Sequence, residues 1–207
     1  MLQRIARKGS DKAKLAEQMI ATPELLPEIF NGLNASEAAV KYGCEKVLKL
    51  ISEKAPALLY SRMEFFVGLL ESENNFLKWG AIRIIANLAA VDMENKFEKI
   101  FDRYFAPVQG PAMITAGNIV ASAPKIAAAK PHLTERIVRE LLRVERARYQ
   151  TAECHNVVLG HVILAFGQLF ERLRDKTAVV ALARRQLKNP RNATRTKAEK
   201  FLKKFGA

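Results

Sequence analysis

Cysteine is scarce in this chain of 207 residues: Cys44 and Cys154 are the only two, far apart and among apolar neighbours. They read as reduced, buried thiols, and no disulfide framework is expected. Ten glycines and eight prolines are too few for a fibrous or disordered chain. No apolar run approaches the roughly 20 residues that cross a bilayer. The first residues, MLQRIARKGSDKAK, are basic but lack the apolar stretch of a secretory signal, so a cytoplasmic chain is expected. His132, His155 and His161 are the only histidines, and neither HExxH nor CxxC occurs, which leaves no zinc motif. GxSxG, Walker and dinucleotide-type glycine motifs are missing as well. The expectation is a protein that is not an enzyme and carries no cofactor.

Strand signals are equally absent, with no sustained alternation and no Asn-Gly or Asp-Gly turn. Apolar residues recur three and four apart instead, as in Val40, Val47, Ile51 and in Leu77, Ile84, Leu88. The punctuation is Pro, Asn, Ser, Thr and Asp, residues that suit helix starts. Cut at those marks, the chain predicts a leading helix near 10 to 21 and then ten helices of roughly 11 to 20 residues. The fold class is all-α.

Internal repetition suggests the architecture. VKYGCEKVLKLI, LKWGAIRIIANL, ITAGNIVASAPK and VVLGHVILAFGQ align on Gly43, Gly80, Gly117 and Gly160, and TRTKAEKFLKKF aligns with Lys197 in that place. The spacings are 37, 37, 43 and 37 residues. A glycine inside a helix costs about 1 kcal/mol against alanine, so its recurrence at one register points to close approach of a neighbouring helix. Each segment follows an amphipathic helix. A helix pair of this kind buries its apolar face only by stacking on the next, which predicts a single solenoid domain over 1–207 with hairpins at 22–55, 56–91, 92–130, 131–174 and 175–206.

The pattern of a first helix ending in Leu-Leu, a short polar turn, a basic residue and a small-residue helix resembles HEAT repeats over roughly residues 22 to 206. LLESENNFLKWGAIRIIANLA and QLKNPRNATRTKAEKFL carry the likeness. Ala35, Ser72 and Asn189 stand where that family favours Asp, and Thr115 and Val158 replace the basic residue in the third and fourth hairpins. The resemblance implies a right-handed α-α superhelix, an armadillo-type α-solenoid, whose second helices line the concave side. It also implies a protein-binding scaffold.

Charge is unevenly spread. Residues 1 to 129 carry a balance of +2 and residues 130 to 207 one of +11. Such a field favours an acidic partner. Arg136, Arg139, Arg143 and Arg146 are spaced as one stripe on one helix, which presents forks for carboxylate or phosphate. A solvated face eased by Glu135, Glu140 and Glu145 is the favoured reading of that stripe. Lys41, Lys78 and Arg195 share one repeat position, and Lys46, Arg83 and Lys200 another. The first set is read mainly as bonding the turns, though both sets are candidates for partner contact, as is Trp79. Trp79 and Tyr42 share a register and are placed preferentially in the core. The expected function is an adaptor binding a protein partner, preferably acidic. The alternative is a nucleic-acid-binding module, with a HEAT-like alkylpurine DNA glycosylase as a more remote reading, because Trp79 is followed one turn later by Arg83 and not by an acid.

Overall fold

A computed structural model describes residues 1–206. Among them are thirteen α-helices and no strand, as the periodicity predicts. The chain divides into two compact units, the first being Met1–Phe97 and the second running from Glu98 onward.

Unit one contains α1 (Leu2–Ala6), α2 (Lys12–Ala21), α3 (Leu26–Gly32), α4 (Ala38–Lys54), α5 (Ala57–Tyr60), α6 (Met63–Leu69) and α7 (Asn75–Leu88). α4 is its hub, packing on α1, α2, α3 and α7, while α6 packs on α7. The core comprises fully buried Met19, Ile29, Leu48, Ile51 and Phe66. Asp11 caps α2 by accepting from the amides of Ala13 and Lys14 at 3.0 and 3.1 Å. Asn74 caps α7 in the same way, accepting from Phe76 and Leu77. Where the two long helices meet, the Asn87 amide donates to Ser52 Oγ at 2.8 Å in a buried pair.

Unit two holds the body of α8 (Lys96–Phe105), then α9 (Met113–Ala129), α10 (Thr134–Arg143), α11 (Ala152–Leu169), α12 (Thr177–Gln186) and α13 (Asn192–Phe205). α11 is central, with α9 on one side and α13 on the other. Phe101, Tyr104, Ile137, Val162 and Phe166 lie in its interior. Pro124 sits inside α9 without ending it.

Three expectations need correction. Every helix that opens a hairpin is shorter than 11 residues, in three of them because Pro23 and Pro131 start short 3₁₀ turns before α3 and α10 and the second hairpin's first helix is broken into α5 and α6. A further short helix, α1, precedes the leading one. Cys154 is half-buried at the start of α11; only Cys44 is buried, and burial pushes its thiol up to about 11.

The glycine register is largely explained by contact. A Cβ on Gly43 would collide with Ile5 of α1, and one on Gly80 with the Glu45 carboxylate. A Cβ on Gly160 would lie 2.9 Å from Thr194 Oγ1 and 3.3 Å from Lys197 Nζ. Gly117 differs, since a Cβ there would meet nothing nearer than His161 at 3.9 Å. Gly117→Ala should therefore stabilise the fold by about 0.5–1 kcal/mol through helix propensity. Gly43→Ala should cost about 1–3 kcal/mol, because Ile5 is buried and must move with α1. Urea titration of the two variants checks the opposite signs.

Candidate binding surfaces

The arginine stripe is broken up by the fold. α10 ends at Arg143, and Arg146 lies on the 3₁₀ turn Val144–Arg146 that follows, so the four residues do not share one helix. Arg136 pairs with Asp102 of α8 at 2.6 Å, and its guanidinium lies 3.9 Å over the Phe101 ring. Arg143 pairs with Glu140 at 3.0 Å. Arg139 and Arg146 are exposed and make no side-chain hydrogen bond or ion pair among the described residues. Neighbouring cations are also committed. Arg185 grips Glu145 with two bonds of 2.7 and 2.8 Å, which raises the guanidinium's already high pKa, and Arg191 pairs with Glu153. Three arginines on this side are thus matched by carboxylates 34 to 40 residues away.

The first repeat position divides in role. Arg195 donates to the carbonyls of Asn189 and Pro190 at 2.8 and 3.0 Å and so clasps the turn between α12 and α13. Beneath it, Asn189 donates to Asn156 and Gln186, and Thr194 Oγ1 donates to the Asn156 carbonyl at 2.7 Å. Lys41 and Lys78 are half-buried and form no such clasp.

Tyr42 and Trp79 are not core residues: both are half-buried, at the surface of α4 and α7. Between them stands Phe76, which is 59% exposed. Its ring centroid is 5.0 Å from that of Tyr42 and 5.5 Å from that of Trp79. Asn74 donates to the Tyr42 hydroxyl at 3.2 Å, tying this ring to the cap of α7. Phe76 went unnoticed in the sequence, although it lies three residues before Trp79 and so on the same helix face. The repeat position of Lys46 and Arg83 is exposed beside these rings. Glu45 lies against Gly80; burial pushes its carboxyl above the usual range, opposed by Lys49, Arg83 and Lys46.

A second surface belongs to unit two. Ile114 on α9 and Leu164 on α11 are 49% and 47% exposed. Gly117 and His161, one turn from each, face one another, so the two apolar side chains border the same α9–α11 seam. On the other side of α11, Lys197 folds over Gly160. Burial lowers the pKa of His161, helped by Lys197 and Arg191, and burial with Arg191 lowers that of Lys197. Neither Lys197 nor Lys200 has an ion-pair partner among the described residues.

Among the described residues no three His, Cys, Asp or Glu side chains come together to hold a metal ion, and no helix is long and apolar enough to cross a membrane. No family model matches the chain, and no curated protein matches it.

Proposed function

We propose that this chain is a non-enzymatic HEAT-like scaffold, five hairpins stacked as a right-handed α-solenoid, that holds an acidic protein partner on the open face of its second helices. The observation that carries the reading is the α9–α11–α13 face. Two large aliphatic side chains stand exposed there, and Lys197 and Lys200 of α13 have no ion-pair partner among the described residues. Burying a Leu or Ile side chain fully is worth about 1.5–3 kcal/mol, so an apolar partner surface with an acidic border gains from both halves of the face. Arg136 and Arg143 of α10 and Arg185 of α12, engaged with Asp102, Glu140 and Glu145, contribute less.

A photo-crosslinking residue at Leu164, used in a nuclease-treated extract of the native host, should capture an acidic protein. Leu164→Glu with Ile114→Glu should lower its retention tenfold or more, equivalent to about 1.4 kcal/mol. Retention that disappears on nuclease treatment, or that ignores the double substitution, refutes the reading.

A further inference from the structure

The geometry points to a second binding site, in unit one: the α4–α7 face binds single-stranded nucleic acid, with bases stacking on Phe76 and Trp79 and phosphates drawn to Lys41 and Lys46. This site is independent of the scaffold face on unit two, and the two stand or fall separately.

Charge on unit one is sorted between helices. Residues 1 to 97 hold thirteen basic residues against twelve acids, close to balance. α4 and α7 hold six bases against two acids, but Lys54 is paired with Glu17, and Glu37, Glu71 and Glu73 stand in the turns that lead into the two helices. Lys41, Lys46 and Lys78 make no ion pair among the described residues. Of the two acids, Glu53 lies at the far end of α4, and Glu45 is tucked against the backbone of Gly80, where burial favours its neutral form. The face thus offers a polyanion the unpaired cations Lys41 and Lys46.

The rings decide which polyanion. On α4 and α7 the one large hydrophobic side chain that is mainly exposed is Phe76, an aromatic; no aliphatic side chain stands out beside it to seat an apolar peptide anchor. Every base has a π-face, so stacking on an open ring is tolerant of sequence and worth about 1–3 kcal/mol per base. A duplex hides those faces, whereas a single strand offers them. The platform is also held ready. Asn74 fixes the Tyr42 hydroxyl while capping α7, and Phe76 is wedged between Tyr42 and Trp79.

Trp79 is the only tryptophan, so its fluorescence reports on this face alone. Titration of the full chain with a twelve-nucleotide oligothymidylate at about 50 mM salt, a condition that favours phosphate contacts, should quench it. Phe76→Leu should weaken binding about tenfold by keeping apolar bulk and losing the ring, while Phe76→Tyr should retain it. Lys41→Gln with Lys46→Gln should make the log–log salt slope shallower by about 1.4, at roughly 0.7 per phosphate contact. Circular dichroism of each variant confirms an intact fold. Equal affinity for heparin, a polyanion without bases, would reduce the site to a charge patch and overturn the proposal. Tighter binding of an oligoglutamate peptide would transfer the face to an acidic protein segment. Absence of quenching, or quenching untouched by Phe76→Leu, also overturns it.

Discussion

Lys130→Met should destabilise unit two by about 3 kcal/mol, the lower end of the cost of breaking a buried ion pair. Lys130 sits at the end of α9, only 5% exposed, and its ammonium donates to Glu98 Oε1 at 2.9 Å. Glu98, on α8, is itself 23% exposed, and His132 Nε2 lies 2.9 Å from the same oxygen. Its other oxygen, Oε2, is buried with no hydrogen-bond partner among the described residues. Removing the ammonium leaves a carboxylate that has lost part of its hydration and its strongest compensation. The midpoint of thermal unfolding should fall by about 6–12 °C on the usual scaling for a chain of this size. Glu98→Met combined with Lys130→Met should recover most of the loss, since replacing both partners removes the stranded charge. A double variant as unstable as the single would show that the lysine stem, and not the pair, matters.

The pH response of the two proteins should differ in size. Burial alone pushes the Glu98 carboxyl up, but hydrogen bonds from Lys130, a backbone amide and His132 together outweigh it and leave its pKa below the ordinary carboxylate value. A folded-state pKa below the unfolded one means stabilisation that is complete above about pH 4.3 and lost as pH falls further. Without Lys130 only the backbone and His132 hydrogen bonds oppose burial, so the depression should shrink. The loss then applies at neutral pH and fades as acid protonates Glu98. The stability gap between parent and Lys130→Met should thus narrow between pH 7 and pH 4. A gap that stays constant across that range removes Glu98 as the cause.

How much of this was legible in the sequence depends on the range of each interaction. The helices were readable because period and punctuation are local. Even so, the cap of α7 is Asn74, two residues beyond Ser72, whose hydroxyl accepts from the Asn74 amide. The glycines were readable as close approaches at Gly43, Gly80 and Gly160, though not which atom each one admits. The side on which Trp79 lies was not readable, because α7 is apolar nearly all round: Leu77, Ile82, Ile84 and Ile85 are all buried, and no single stripe separates inside from outside. The fate of the arginines was hidden for another reason. Glu135, Glu140 and Glu145 are visible as neighbours within one helix, whereas Asp102 beside Arg136 and Glu145 beside Arg185 become neighbours only when hairpins pack.

Ile84→Pro should cost about 3 kcal/mol or more, and the way the loss is distributed is as informative as its size. Ile84 lies in the interior of α7, 2% exposed, and α7 packs on α4, α5 and α6. Proline there removes the amide that bonds the Gly80 carbonyl and drives its ring toward that same carbonyl. It also withdraws a buried isoleucine from the seam with α4. In a chain whose helices contact mainly their neighbours, such damage opens a stretch and not the whole. Hydrogen exchange should show the amides of α4 and α7 losing roughly a hundredfold in protection, the equivalent of about 3 kcal/mol, while those of α11 and α13 stay near their parent values. The seam between α11 and α13 is held by its own buried bonds, from Asn189 and Thr194 to Asn156, and none of these involves α7. Equal loss of protection in α7 and α11 would mean that the two units melt as one cooperative body, and would count against a repeat array.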